Sequence, residues 1–145
     1  MGCVACDTVG PGGVIAETDG WLVDHCLGPL GVGTLIVKPK RHVLHVADLT
    51  SSEAAELGPL LHRIAAVVTA LTEPDQVYVC LWSHAGGEPG HIHFVVQPVT
   101  RETMATHDSF GLELQIAMFD RGEPPDPGEA ERFAEAARAR LATIS

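Results

Sequence analysis

The stretch GHIHFVVQP, residues 90–98, places two histidines at alternate positions of a segment that otherwise has the composition of a β-strand. Alternate side chains of a strand point to the same face of a sheet, so His91 and His93 share one face. A buried strand would normally place Val or Ile there. The next residue on that face is Val95, not a third histidine. The pattern predicts a strand with a chemical function on one face.

The composition predicts one globular domain that spans residues 1–145. The hydrophobic fraction of 46% argues against disorder, and no apolar run is long enough to predict a membrane span. No secretory signal pattern opens the chain, so we expect a cytoplasmic protein. The net charge of −10 argues against nucleic-acid binding. One local basic site, KPKRH at 38–42, remains available for a phosphorylated small molecule.

The hydrophobic periodicity predicts strands first, then one helix, then strands and helices again. The first two strands are joined by Asp19–Gly20, a strong hairpin signal. Thr50 and Glu53 fit a capping box at the start of the first helix. SHAGGEPG, at 83–90, is expected to be a glycine-rich loop. The predicted strands are 14–18, 21–26, 33–39, 76–82 and 91–98, and the predicted helices are 48–71, 109–119 and 127–141. This order favours an α+β fold with a largely antiparallel sheet.

Cys3 and Cys6 form a C-x-x-C pair near the start of the chain. A thioredoxin-type pair would follow a strand and open a helix, and this pair has neither context. Two unlinked surface thiols are one interpretation. A zinc site is the better one, because two thiolates at this spacing can bind one ion. A closed zinc site needs four ligands, so two more are required, and histidines are the best candidates.

Eight histidines are available for such a site. His91 and His93 stand apart because they share a strand face, and His42 stands apart because it closes the basic turn. His25 ends a predicted strand and His84 opens the glycine-rich loop, so both are intermediate candidates. The remaining three have the context of surface or loop residues: His45, His62 and His107.

Three segments, in order, carry a resemblance to a known family: CVAC near the start, TLIVKPKRHV in the middle, and GGEPGHIHFVV. Together they resemble the histidine triad (HIT) superfamily of nucleotide-binding hydrolases and transferases. The resemblance covers about residues 3–98, which would form the core, with a helical extension at about 109–142. It implies a five-stranded antiparallel sheet with packed helices, a single domain and usually a homodimer.

The resemblance also implies a role for each matching residue. Zinc-bearing members of the family hold a structural zinc ion with the residues that correspond to Cys3, Cys6, His42 and His91. The second histidine of the motif, here His93, is the nucleophile. It would attack the α-phosphorus of a nucleotide derivative and form a nucleotidyl-histidine intermediate. Backbone N–H groups near Gly86 and Gly87 would approach the phosphate.

Three positions depart from the family pattern near the expected substrate. Val95 replaces the third histidine and removes a hydrogen-bond donor. Glu88 stands where Ser or Thr would assist the leaving group. His25 lies near the position of an acidic residue that holds ribose hydroxyls. These departures leave other functions open: a nucleotide-binding module with weakened catalysis and structural zinc, a catalytic zinc with an open position, or a non-nucleotide reaction on the same scaffold.

Overall fold

The computed structural model describes residues 3–144, except for the side chain of Ala85. Five antiparallel strands form one sheet in the order β1-β2-β3-β5-β4. The strands are β1 (Ala16–Glu17), β2 (Trp21–His25), β3 (Leu35–Pro39), β4 (Gln76–Ala85) and β5 (Glu88–Val99). The helices are α1 (Val4–Asp7), α2 (Ser51–Thr72), α3 (Arg101–His107), α4 (Gly111–Arg121) and α5 (Pro127–Leu141). The α+β class and the five-stranded antiparallel sheet are confirmed.

One face of the sheet packs on α2 and α5 and forms the larger core. Trp21, Val23, Leu35, Val37 and Val96 alternate with residues of the opposite face, as strand geometry requires. The apolar stripe of α2 meets them with Leu60, Ile64, Val67 and Val68, and α5 adds Ala134 and Ala137. By length and composition alone α2 could cross a membrane, but here its stripe is buried against the sheet. The predicted capping box of α2 is present.

The opposite face carries the histidines and is only partly covered. α4 packs on one end of it, where Leu114 and Met118 meet Val95 and Val99 of β5. Three buried or half-buried polar side chains form a chain beneath α4. Gln97 accepts from Gln115 at 3.1 Å, and Gln115 donates to the sulfur of Cys80 at 3.3 Å. The other end of this face is left open.

The segment predicted to be a glycine-rich loop is a β-hairpin. β4 and β5 continue pairing as far as Ala85 and Glu88, so the connection is only Gly86–Gly87. Both glycines have positive φ angles, 62° and 86°, which a two-residue hairpin turn of this hand requires. The loop prediction was therefore wrong in extent, because a Gly-Gly pair within a glycine-rich segment also fits a tight turn.

The ends of the other elements differ from prediction by a few residues, and two short helices were not predicted. α1 forms a single turn between Cys3 and Thr8. α3 follows β5 directly and is capped by Thr100, whose hydroxyl accepts from the N–H of Thr103. A one-turn or two-turn helix carries too few apolar positions to show a period in the sequence.

Candidate active site and metal centre

Four side chains that can bind a metal come together at the open end of the sheet. The donor atoms of Cys3, Cys6, His42 and His91 all lie within 4.8 Å of one another. α1 places the two thiols on one side of a single turn, because its backbone bonds run from Cys6 N–H and Asp7 N–H to the carbonyl of Cys3. His42 follows β3, and His91 belongs to β5. The segments joined here are far apart in sequence.

The spacing of these donors fits a tetrahedral zinc ion. With Zn–S near 2.3 Å and Zn–N near 2.05 Å, neighbouring sulfur and nitrogen ligands lie roughly 3.6 Å apart. Cys6 Sγ is 3.1 Å from Nδ1 of His91 and 3.3 Å from Nδ1 of His42. Cys3 Sγ is 3.6 Å from Nδ1 of His91. Two thiols and two imidazoles make the donor set of a closed structural site.

His91 is held in the tautomer that a metal requires. Its Nε2–H donates to the backbone carbonyl of Pro39 at 2.9 Å, so the Nδ1 lone pair faces the thiols. Burial is the main cause that lowers the pKa of this imidazole, which favours the neutral form that can bind a metal. A backbone carbonyl that orients a metal-binding histidine is a common second partner in such sites.

His93 lies on the same face of β5, beside the cluster but outside it. Its Nδ1–H donates to the carbonyl oxygen of His91 at 3.2 Å, which leaves Nε2 with a free lone pair. The indole of Trp82 stands edge-on to the ring, with centroids 6.2 Å apart. The side chain is half-buried. The ring is therefore held in one orientation, and its Nε2 atom faces the space above this side of the sheet.

That space is an open cavity of about 540 Å³. Such a volume is typical of small-molecule sites. His93, Trp82 and His84 form one part of its wall, and the C-x-x-C turn forms another. The apolar part of the wall comprises Val4, Leu27, Ile36, Leu44, Pro89, Val95 and Phe119. Cys26 is the buried thiol of this wall, and burial raises its pKa to about 11, so it stays protonated and is a poor nucleophile.

Comparison with known proteins bears on the fold. No family model and no curated protein matches the chain. Among solved structures, a zinc-bound histidine triad family protein from Mycobacterium smegmatis superposes with a TM-score of 0.70 at 22% identity, over 100% of this chain and 99% of that one. A hypothetical histidine triad nucleotide-binding protein from Sulfolobus tokodaii gives 0.65 at 15% identity, over 89% and 83%. A hypothetical protein from Leishmania major gives 0.58 at 31% identity, over 69% and 74%.

The chain has the histidine triad fold. The resemblance carried by the three quoted segments is thereby confirmed at the level of the fold. Within this fold the chain keeps the first two histidines of the motif and has Val95 at the third place.

Val95 lines the cavity and is only 1% exposed. It belongs to the apolar cluster under α4, with Leu114 and Met118. The valine side chain therefore presents an apolar surface at the position where a third imidazole would supply a hydrogen-bond donor. The substitution therefore extends the apolar cluster toward His93.

Gly86, Gly87 and Glu88 form the tip of the hairpin and do not line the cavity. Glu88 is exposed, so its carboxylate is not held against a phosphate in the cavity. The next two residues, Pro89 and Gly90, do line it. If backbone groups of this strand approach a ligand, those of Gly90 are the better placed.

His25 lines the cavity but has no ring nitrogen left for a ribose. Its Nδ1–H donates to the carbonyl of Cys26 at 2.9 Å, and its Nε2 accepts from the N–H of Gly33 at 2.9 Å. Burial lowers the pKa of this imidazole, in keeping with a neutral ring that closes the loop after β2. A substrate-binding role would require one of these bonds to break.

A buried ion pair, not predicted from the sequence, anchors the N-terminal segment. Lys38 Nζ lies 3.2 Å from Oδ2 of Asp24, and the two residues are 7% and 4% exposed. Lys38 also donates to the carbonyl of Thr8 at 2.8 Å, and Asp24 accepts from the N–H of Gly10 at 2.9 Å. The pair therefore ties the chain that follows Cys3 and Cys6 to the centre of the sheet. A charged residue within each of two apolar strands was the available signal.

The basic turn does not supply a phosphate site. Lys38 is paired with Asp24, Lys40 with Glu17 at 3.2 Å, and Arg41 with Glu53 at 2.9 Å. None of these cations is among the described residues that line the cavity, and no other lysine or arginine is. The polar groups that face a ligand are mainly imidazoles.

Proposed function

We propose that this chain is a zinc-binding histidine triad protein that cleaves a nucleoside monophosphate derivative at its α-phosphorus. It acts as a hydrolase or nucleotidyltransferase, with His93 as the nucleophile. One observation carries the proposal: Nδ1 of His93 is held by the His91 carbonyl, while its other nitrogen is free in a cavity of small-molecule size. A neutral imidazole is a good nucleophile near neutral pH.

The reaction has two steps. The Nε2 lone pair of His93 attacks phosphorus, the bond from phosphorus to the leaving group breaks, and the nucleotidyl group is joined to His93. Water or another acceptor then attacks the same phosphorus and breaks the P–N bond, which returns His93 to its neutral form. In the first step a basic leaving group such as an amine must gain a proton as it departs, and in the second step the attacking water loses one.

Zinc is proposed to have a structural role. The four donors form a closed set, whereas a catalytic zinc keeps an open position and needs only three protein ligands. When bound, the ion supplies a rigid link between α1, the turn after β3, and β5. His91 would thereby be fixed, and with it the carbonyl that orients His93.

The lack of lysine and arginine in the described cavity wall disfavours substrates with several negative charges. A dinucleoside polyphosphate would bring several negative charges to a protein of net charge −10, at a wall without described lysine or arginine. Apolar and aromatic side chains dominate the wall instead, and the rings of Trp82 and Phe119 contact each other at a tilt of 46°, with centroids 4.6 Å apart. We therefore favour a mononucleotide ester or phosphoramidate that carries a single phosphate.

A second candidate is a nucleotide-binding module with weakened catalysis. Val95 favours it, because the loss of one preorganised donor lowers rates in other enzymes by about 10²–10³-fold. The two candidates differ in turnover and not in affinity, since a binding module retains the ligand without cleaving it.

Turnover and binding should be measured on the same panel of adenosine and uridine 5′-phosphoramidates and 5′-phosphate esters. Release of the monophosphate by the wild type, and its loss in His93→Ala with binding retained, supports the enzyme. Binding without release in the wild type supports the module. Neither binding nor release would reject both candidates for these nucleotides.

Two further features are proposed on the resemblance. The chain forms a homodimer, and the edge strand β4 offers it the exposed side chains of Val79 and Leu81. Light scattering after size-exclusion chromatography would give about twice the 15.4 kDa chain mass. The cytoplasmic location stays a prediction.

A further inference from the structure

His84 is a second uncommitted imidazole in the wall of the cavity. It lies on β4, two residues after Trp82, and both residues line the cavity together with His93. The imidazole of His84 is exposed and makes no hydrogen bond or ion pair with the described residues 3–144. His25, His91 and His93 in contrast each have a ring nitrogen bonded to a backbone carbonyl.

An irregularity of the hairpin lies between the positions of His84 and His93. Trp82 pairs with His93 and His84 pairs with Pro89, so the single residue Ser83 faces three residues of β5, 90–92. The extra residues let β5 turn toward the metal cluster, where Ile92 N–H donates to the carbonyl of Val43. Such bulges re-aim nearby side chains and are common beside active sites.

The two imidazoles share a cavity that can admit a phosphoryl group. His84 and His93 both line it, and His84 lies two residues along β4 from Trp82, the cross-strand partner of His93. Two imidazoles in this relation can contact one phosphoryl group from different sides.

The other candidates for proton transfer are not suitably placed. Val95 has no exchangeable proton, Glu88 is exposed at the hairpin tip outside the cavity wall, and Asp24 is committed to Lys38 and Gly10. Cys26 is a buried thiol that donates poorly. His84 is the remaining titratable side chain of the described wall that is neither internally bonded nor part of the metal cluster.

We propose that His84 is the general acid for the leaving group and then the general base for water, in place of a third motif histidine. This role rests on the function proposed above. In the first step His93 attacks phosphorus, and the imidazolium of His84 gives its proton to the departing nitrogen or oxygen as that bond breaks. In the second step neutral His84 takes a proton from water as water attacks phosphorus, the P–N bond breaks and His93 leaves.

The test compares two leaving groups in wild type and His84→Ala. Adenosine 5′-(4-nitrophenyl phosphate) expels a stable phenolate that needs no proton, whereas the 5′-butylphosphoramidate expels an amine that must be protonated. Rapid-quench mass spectrometry follows formation and decay of the nucleotidyl protein. Acid–base catalysis contributes about 10²–10⁴-fold, so we expect the first step to slow by at least about 10²-fold with the amidate and by less than about fivefold with the nitrophenyl ester.

The second step provides an independent readout. In His84→Ala the nucleotidyl protein formed from the nitrophenyl ester should accumulate, because its hydrolysis has lost the base. His84→Gln keeps a hydrogen-bond donor without an exchangeable charge and should behave like the alanine variant. His62→Ala, an exposed histidine on α2 far from the cavity wall, is the matched control and should match the wild type.

The outcomes separate this inference from the function on which it rests. If wild type and His84→Ala form and hydrolyse the adduct at equal rates with both substrates, His84 is not the acid–base and the function of His93 stands. If wild type forms no adduct from either substrate, the proposed function fails, and the role of His84 fails with it.

Discussion

The Nδ1 atom of His93 lies 3.2 Å from the backbone carbonyl oxygen of His91, whose own side chain faces the two thiols of the C-x-x-C turn. The proposed nucleophile and a proposed metal ligand are thus two residues apart on one face of β5. The backbone of the ligand orients the ring of the nucleophile. Anything that fixes His91 therefore also limits the rotation of His93.

Removing one thiol should remove the metal. We expect wild-type protein to bind one zinc ion and Cys6→Ser to lose most of it, because the proposed site requires both thiolates. Thermal unfolding should occur at a lower temperature, since zinc binding contributes folding free energy. Zinc content is measured by elemental analysis after dialysis. Cys80→Ser, a thiol that contacts Gln115, is the control; equal zinc in all three proteins would contradict the assignment.

Removing one charge of the buried Lys38–Asp24 pair should destabilise the protein more than removing both. Lys38→Met leaves the Asp24 carboxylate buried without its cation, which typically lowers the free energy of unfolding by about 3–5 kcal/mol. Asp24→Leu combined with Lys38→Met should recover part of that loss. Urea unfolding measures all three.

An exposed lysine of the same turn gives the matched comparison for that pair. Lys40→Met breaks a contact with the exposed Glu17 and should change the unfolding free energy by less than about 1 kcal/mol. A similar loss for Lys40→Met and Lys38→Met would show that burial of the pair has little effect.

Trp82 should report ligand binding through its fluorescence. Its ring lines the cavity between His93 and Phe119, whereas the other tryptophan, Trp21, is fully buried in the opposite core. A mononucleotide ligand should change the emission of wild type and leave that of Trp82→Phe unchanged. A ligand response that persists in Trp82→Phe would place the binding site elsewhere.

Restoring the third histidine should bring little catalytic gain. Val95→His places a polar ring in the apolar cluster under α4, so we expect the free energy of unfolding to fall by about 1–3 kcal/mol. Because His84 is proposed to supply the proton, the added imidazole would be redundant. Turnover should then rise by less than about tenfold, below the roughly 10²–10³-fold that one preorganised donor contributes in other enzymes. Urea unfolding and steady-state kinetics test this. A gain of 10²-fold or more would show that the valine limits the reaction.

The sequence predicted the sheet because its strands are short β-rich runs bounded by turn residues, and it predicted the longest helix because that segment carries an apolar stripe at helical spacing. It located His91 and His93 on one face because alternate residues of a strand share a face. It also identified the C-x-x-C pair, and the family resemblance supplied the two histidines that the structure brings to it.

The remaining features depend on register and on partners distant in sequence. The pairing of Trp82 with His93 and of His84 with Pro89 follows from a bulge that no local pattern reveals. The basic residues of the segment 38–42 were expected to be available for a phosphorylated ligand. Instead Lys38, which lies within β3, pairs with Asp24 of the neighbouring strand β2, a contact set by the tertiary fold.

The nucleotidyl adduct is the most direct test of the central claim. Wild type and His93→Ala should be mixed briefly with adenosine and uridine 5′-phosphoramidates, quenched at neutral pH, and compared by intact-protein mass spectrometry with peptide mapping. The wild type should gain the mass of one nucleotidyl group, acid-labile and located on His93, and the variant should show no such gain. Monophosphate release without an adduct, or an adduct that survives His93→Ala, would contradict the central claim.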